Sequence, residues 1–421
     1  MQGHVRKRHK PECAKRSTGK PPPSTQRQTR CTCDGSWQAR YRLDGKFVER
    51  TFRTKGEAQD WLTQEQSSQL SGTHVNPRLA DTQFGSVVTA WRESWPNRLS
   101  PTTAARYSSI LANYLIPTFG TTPVGKIDHG VVQRYINKLA AERDPDNAEA
   151  PLHAPGTVLN VYSVLRTAMS QGVRLGMVKV NPCTKIDLPR SPREEPVFLT
   201  TEEVAAVAEK IDGFYKTLVY TAAYTGLRAG ELLALRRQDV DLLRGVLHVR
   251  RALKDVDGRQ EFGPVKTESS RRTVSLPAFL RDMLTDHLTK PSHDAGPDAL
   301  VFPSKQGKPL RHNLFYRRHF KPAVMGHTDK EGVYHPGALP AAKHGLTFHM
   351  LRHTCASLSI AAGAHPKLIS TRLGHSSITI TIDRYGHLFP SVEAALAEQL
   401  DALYRAAPAP SNVAEIARSR T

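Results

Sequence analysis

The sequence is short of acid and short of sulfur. Its 421 residues carry 39 Asp and Glu against 59 Lys and Arg, a formal charge of +20, and the sequence pI is ≈ 9.9. A deficit of negative charge on this scale points to a polyanionic partner, of which nucleic acid is the simplest. Long apolar runs are missing too, and no lipid-anchor signal occurs, so no membrane partner is expected. The first residues are positive (Arg6, Lys7, Arg8, Lys10) without the apolar stretch of a secretory signal, which leads us to expect a cytoplasmic chain. Cysteines number five, an odd count scattered over a long chain, which makes no disulfide framework and suits a reducing compartment. Cys183 and Cys355 read as buried thiols. Cys13, Cys31 and Cys33 cluster in the basic N-terminal tail beside His4 and His9, a composition open to a small zinc site; the Cys-x-Cys spacing is atypical for zinc and no fourth ligand is obvious, so no metal is assigned.

What is present divides into segments. A chain of this length calls for two or three domains. Residues 1–60 hold fifteen Lys and Arg against six Asp and Glu, and residues 1–34 read as a flexible basic tail. Residues 35–75 read as a small sheet backed by a helix. Trp37, Ala39, Tyr41 and Leu43 alternate with Gln38, Arg40 and Arg42, Asp44-Gly45 marks a hairpin turn into a strand from Lys46 to Arg53, and Thr54 caps a helix to Leu70. Arg40, Arg42 and Lys46 would then share an open basic face suited to a DNA groove, although taken alone the same face serves equally as a solubilising surface. Residues 80–183 read as all-helical. Ser100-Pro101 and Asp128 supply helix starts, an apolar stripe runs to Pro117, residues 144–155 form a loop, and Thr157 opens the last helix. Residues 184–197 are an extended, proline-rich linker whose Arg190 and Arg193 could track a phosphate backbone. A mixed, mainly helical domain with a small antiparallel sheet follows over 198–405, opened by a capping box at Thr200 and Glu203, and 406–421 is a tail. The fold class expected is therefore α+β, multidomain.

The chemistry-bearing fragments lie in the 198–405 domain. In TGLRAGEL the chain pauses at Thr225-Gly226 and restarts, placing Arg228 in a first helical turn with Glu231 one turn on. Residues 250–277 read as a three-stranded meander with Lys266 at a hairpin end, where a mobile ammonium is placed to protonate a leaving oxygen. His349 and Arg352, three apart at a helix start, share a face. Gly374 closes a helix, His375 follows, and Ser376 or Ser377 caps a helix that carries Tyr385, ten residues after His375. Each fragment has a plainer reading taken singly: a surface ion pair, a turn lysine, a structural His–Arg cluster, a cap, a packing tyrosine. Together they supply one nucleophile and five groups suited to gripping a phosphate, which is coherent for phosphodiester displacement without a metal.

In the order and spacing of these fragments the chain resembles the tyrosine recombinases, also called phage integrases, over nearly its whole length. Arg228, Lys266, His349, Arg352, His375 and Tyr385 match the six active-site positions of that family, and Glu231 matches its usual acidic partner. IPTFGTTPVGKI and LRTAMSQGVRLGMVKVNP resemble its helical core-binding domain, and GSWQARYRLDGKFVERTF resembles the three-stranded arm-binding domain of temperate-phage integrases. The resemblance implies that Tyr385 attacks a scissile phosphate and leaves a 3′-phosphotyrosyl bond, with no cofactor. It also implies a homotetramer on double-stranded DNA bearing core and arm sites, in a prokaryotic host's nucleoid, with room for a directionality factor. The segment from Val392 to Leu403, with Leu396, Leu400 and Leu403 at helical spacing, suits docking onto a neighbouring protomer or covering its own domain. Residues 326–342 form an insertion without an assigned role. A type IB topoisomerase shares the tyrosine chemistry, and a non-catalytic DNA-binding regulator could share the fold; neither needs the complete set of features.

Overall fold

A computed structural model describes residues 3–9, 34–43, 46–70, 77–96, 98–190, 196–256, 258–265, 267–290, 295–389 and 393–406. Two compact units divide the chain, Met1–Arg193 and Glu194–Thr421.

The first unit begins with an antiparallel sheet in the order β1 (His4–Arg8), β2 (Ser36–Leu43), β3 (Lys46–Phe52), followed by α1 (Lys55–Leu70). Period-two alternation in β2 sends Ala39 and Tyr41 onto Ala58, Trp61 and Leu62 of α1, where all five are buried. Thr54 caps α1 as its sequence suggests, accepting from the Glu57 backbone. The third strand is the surprise. Residues 4–8, read as part of a flexible tail, pair with Ser36–Arg40, because Val5 adds to the apolar face while His4, Arg6 and Arg8 stay on the polar one. Gln38 on that polar face is nonetheless buried; it accepts from Arg6 Nε at 2.9 Å and donates to Glu49 at 2.6 Å.

Helices α2 (Pro77–Ala80), α3 (Phe84–Glu93), α4 (Pro101–Ile110), α5 (Ile116–Phe119), α6 (His129–Ala141) and α7 (Pro155–Arg174) follow. Phe84, Leu111, Leu115, Val132, Ile136, Val161 and Leu165 are in their common core. The stripe expected to end at Pro117 continues through it to Phe119, by way of a π-helical turn over Leu111–Leu115. Proline lacks the N–H that an α-turn would use, and the wider turn accommodates it. The expected loop over 144–155 contains a hairpin instead, β4 (Arg143–Asp144) and β5 (Asn147–Pro151), and α7 starts at Pro155 rather than Thr157. The start of the expected linker is packed: Cys183 and Ile186 are buried against the helices, and Gln133 clasps the backbone of Asp187 through both its amide atoms. Arg190 is exposed beyond it.

The second unit contains α8 (Thr201–Lys210), α9 (Lys216–Thr225), α10 (Ala229–Leu232), β6 (Val240–Asp241), β7 (Val246–Val249), β8 (Arg251–Val256), β9 (Arg259–Pro264), β10 (Arg272–Ser275), α11 (Ala278–Thr289), α12 (His312–Phe315), α13 (Lys321–Met325), β11 (His327–Thr328), β12 (Tyr334–His335), α14 (Met350–Ala361), α15 (Pro366–Leu373), α16 (Ile378–Tyr385) and α17 (Glu393–Ala406). The capping box at Thr200 and Glu203 is formed in both directions. The meander expected over 250–277 is corrected. VLHVRRAL is two strands: β7 joins a sheet in the order β10-β7-β6, and β8 pairs with β9 in a separate hairpin. The break falls at Arg250, where Arg250 and Arg251 both turn onto the buried carboxylate of Asp239. The 326–342 insertion forms the β11–β12 hairpin. On α17, Leu400 and Leu403 are exposed; the side chain of Leu396 lies outside the described residues.

Candidate active site

Four segments of the second unit converge. The first is the break between α9 and α10. Gly226 adopts a left-handed conformation (φ +66°) that stops α9, and a Cβ there would come within 2.5 Å of Leu373 Cδ2 and 3.1 Å of Cys355 Sγ, so only glycine lets these segments close up. Arg228 follows. Its Nη1 donates to Glu231 Oε1 at 2.7 Å and to Ser270 Oγ at 3.2 Å, and its Nη2 donates to the Gly374 carbonyl at 3.0 Å.

Glu231 is 3 % exposed and does more than pair with Arg228. Its Oε2 also accepts the Arg228 backbone N–H at 3.0 Å and Arg272 Nη2 at 3.0 Å. Burial opposes its ionisation, but the Arg272 charge and the hydrogen bonds from both arginines outweigh that and hold its pKa below the ordinary value. Arg272, equally buried, reaches on to the Arg372 carbonyl at 2.7 Å and the Ser270 carbonyl at 3.0 Å.

The third segment is α14, which His349 precedes as the N-terminal flanking residue. Arg352 is 5 % exposed, and its Nη1 donates to the Gly226 carbonyl at 2.6 Å. Burial, then the charges of Arg228 and Arg272, push its pKa down to about 10, which still leaves it charged at neutral pH. His349 is pushed below its ordinary value by burial and then by Arg352, Arg384 and Arg228.

The fourth segment is α15–α16. Gly374 is left-handed (φ +65°), Ser377 caps α16, and His375 Nδ1 is 2.8 Å from Thr381 Oγ1. Burial, followed by Arg352 and Arg228, lowers His375 to about 4. Tyr385 ends α16. It is 1 % exposed, with its hydroxyl 2.7 Å from His353 Nδ1 and its ring against Phe198. Burial raises its pKa to about 12 against the lowering effect of Arg352 and Arg384.

Five of the six expected residues thus fall in one electrostatic neighbourhood. Lys266 lies outside the described residues, between Val265 and Thr267, as does Arg193. Arg40, Arg42 and Arg190 are in the first unit, Arg40 with its guanidinium 4.8 Å from the centre of the Phe47 ring and a buried Nε that has no hydrogen-bond partner among the described residues; the side chain of Lys46 is outside the described residues, as are Cys13, Cys31 and Cys33. Sequence reading missed Arg272 and His353. Both had a signal: Arg272 is the inward member of the pair Arg271-Arg272 at the start of a strand, and His353 adjoins Arg352 on the same helix.

Comparison with known proteins decides the family. The description "Phage integrase family" matches residues 198–391, and "Phage integrase, N-terminal SAM-like domain" matches residues 83–140. The integrase of Mycobacterium phage FRAT1 is 30 % identical over 275 residues, covering 64 % of this chain and 74 % of that protein. This chain belongs to the phage integrase family. The putative prophage phiRv2 integrase of Mycobacterium tuberculosis is 28 % identical over 364 residues, 84 % of this chain and 89 % of the relative. In fold, the chain matches the Tn1549 transposon integrase solved with a circular intermediate DNA (TM-score 0.60, 18 % identity, 76 % of this chain and 99 % of that one). It also matches a lambda integrase dimer bound to a core site (TM-score 0.51, 18 % identity, 82 % and 91 %). As an integrase, the protein is a tyrosine-type, DNA strand-transferring enzyme, a site-specific recombinase of phage and mobile-element integration. Among the described residues no helix of this integrase is long and apolar enough to cross a membrane.

Proposed function

We propose that Tyr385 is the nucleophile of the integrase and that Arg228 and Arg352 grip the nonbridging oxygens of the scissile phosphate. The observation that carries this is a local shortage of negative charge. Arg228 and Arg272 depress Arg352, and all three depress His375, while Glu231, the carboxylate among them, is already shared by Arg228 and Arg272. A phosphodiester supplies the missing charge, and more of it as the displacement proceeds, so the arrangement favours the transition state over the ground state. His375 is a further donor to the phosphate, Lys266 protonates the leaving 5′ oxygen, and His349 assists proton transfer or orders the site. The products are a 3′-phosphotyrosyl bond and a 5′-hydroxyl, which attacks the partner strand's phosphotyrosine. Because the energy of the broken bond is kept in the tyrosyl ester, no nucleotide cofactor is required.

The N-terminal sheet, with Arg40, Arg42 and Lys46, reads arm sites, while Arg190 and Arg193 follow the backbone at the core site. The assembly is a homotetramer on two duplexes, with Leu400 and Leu403 of α17 docking on a neighbour; lambda integrase, similar in fold, is a tetramer when bound to a Holliday junction. It works in the cytoplasm of a prokaryotic host, with room for a directionality factor. The test is a duplex carrying the attachment core next to the gene, nicked just beyond the scissile phosphate to trap the covalent complex. Wild type gives a denaturation-resistant adduct that maps to Tyr385, and Tyr385→Phe gives none. An adduct in the phenylalanine variant would overturn the assignment.

A further inference from the structure

The phenolic proton of Tyr385 needs an acceptor, since a neutral phenol is a poor nucleophile. Its hydroxyl is 2.7 Å from His353 Nδ1, whereas His375 directs its own Nδ1 to Thr381. We infer that His353 is a catalytic residue of the integrase, the base that receives the Tyr385 proton as the phenolic oxygen attacks phosphorus. The inference rests on the reading of Tyr385 as nucleophile. In the forward step the bond from the Tyr385 oxygen to phosphorus forms as the bond from phosphorus to the 5′ oxygen breaks. The phenolic proton moves to Nδ1, making an imidazolium, and the 5′ oxygen takes a proton from a separate acid. On rejoining, the incoming 5′-hydroxyl gives its proton back to the conjugate base of that separate acid as its oxygen displaces the tyrosine from phosphorus, and Nδ1 returns its proton to the departing phenolic oxygen.

The surroundings fit a base held silent until DNA arrives. The groups acting on the His353–Tyr385 pair are His349 just before α14, Arg352 and Cys355 on α14 and Arg384 on α16, with Phe198 covering the phenol. Burial, then His349, Arg384 and Arg352, lowers His353 to about 4, and burial raises the phenol to about 12. Transfer is therefore disfavoured when no anion is near. A phosphodiester on Arg228 and Arg352 offsets the positive field that suppresses the imidazolium, and loss of electron density to phosphorus acidifies the phenol at the same moment. Both changes favour transfer to Nδ1.

The experiment uses the full chain, the attachment-core duplex adjoining the gene, and the same duplex with sulfur replacing the 5′ bridging oxygen, whose thiolate leaves without protonation. His353→Asn keeps an acceptor near the phenol but cannot take its proton, and His353→Ala removes both functions. We expect both variants to form the covalent adduct about 10²–10⁴-fold more slowly, the range for a lost acid or base, on the oxygen and the sulfur substrate alike. Lys266→Ala, in contrast, recovers on the sulfur substrate. The wild-type rate falls as acid protonates His353, and His353→Asn lacks that limb. An asparagine variant within about threefold of wild type with an unchanged pH profile would overturn the inference, leaving His353 as a positioning residue rather than a base worth the usual factor. If both variants unfold, as urea melts would reveal, a wild-type rate on sulfur DNA with no acid limb overturns it instead. A wild-type adduct that maps elsewhere than Tyr385 strikes the parent reading, which separates the two failures.

Discussion

Glu231 is the residue on which the arginines depend, and its removal separates stability from activity. Glu231→Ala leaves the guanidinium of Arg272, 4 % exposed in its side chain, without its counter-charge, and breaking a buried pair from one side costs about 3–5 kcal/mol. Glu231→Gln keeps the volume and one acceptor, so of the three hydrogen bonds the carboxylate accepts two become ordinary ones and the one from Arg228 Nη1 is lost, and we expect a loss of about 2–3 kcal/mol. The pH dependence has a definite sign. Because the folded pKa of Glu231 is depressed from its ordinary 4.5, its contribution is present above that value and is lost as pH falls through the folded pKa. Urea unfolding of the full chain at pH 7 and in acid measures both effects, and the difference between wild type and Glu231→Gln should shrink in acid. Replacing both partners, Glu231→Leu with Arg272→Met, should restore stability to near wild type, since a packed apolar pair avoids the desolvation of two charges. Strand cleavage should stay lost in that double variant, because Arg228 then lacks the carboxylate that fixes it. A Glu231→Gln protein within about 0.5 kcal/mol of wild type, the usual range for uninvolved surface positions, would refute the account of stability. A double variant that cleaves would refute the account of Arg228.

Acid should also destabilise the protein through His353, whose folded value of about 4 lies below its ordinary 6.5. Its stabilisation is complete above 6.5 and is lost as pH falls toward 4, with a slope approaching about 1.4 kcal/mol per pH unit that His353→Asn removes from the urea-melt series. At the alkaline end Tyr385, raised to about 12 along with Tyr41 and Tyr135, should ionise after ordinary tyrosines in an ultraviolet titration, and Tyr385→Phe should remove one tyrosine's share of that late component; an unchanged titration would contradict its burial. Deleting residues 1–75 should spare cleavage of a core site and abolish arm-site retention in gel-shift assays, and equal arm affinity would count against the basic face of β1 and β2. Core-site affinity should fall steeply with salt because many phosphates are neutralised, and a flat salt dependence would contradict the phosphate contacts.

Local signals were readable because local physics produces them. The caps at Ser100, Asp128, Thr200 and Ser377 each satisfy an orphan N–H within three residues, and the stop at Gly226 follows from its φ. Period-two alternation revealed β2, and the Asp44-Gly45 turn signal that follows it revealed β3. It could not reveal β1, whose partner lies some thirty residues away and whose one clear apolar contribution is Val5. Pro117 was read as a terminator because proline ordinarily is one, and the π-turn before it is a packing solution with no sequence mark. VLHVRRAL reads as one strand by composition; the division at Arg250 comes from Asp239, eleven residues earlier in the chain.

The active site was legible as a set of residues but not as a structure, for a reason visible in its bonds. Arg228 is held by the Gly374 carbonyl, Arg352 by the Gly226 carbonyl, and Arg272 by the Arg372 and Ser270 carbonyls. A backbone carbonyl is present at every residue, so the accepting half of each bond leaves no trace in the sequence. What sequence does record is the space each bond needs. Gly226 and Gly374 are the two positions where a Cβ would meet Leu373 or the Arg272 guanidinium at 3.0 Å or less, and each lies beside a residue assigned to the phosphate. Gly226→Ala and Gly374→Ala should therefore disable Arg352 and Arg228 without touching either. Cleavage should fall in both variants while retention on the core duplex persists. Full cleavage by Gly226→Ala would mean that the carbonyl it presents to Arg352 is not what positions that arginine.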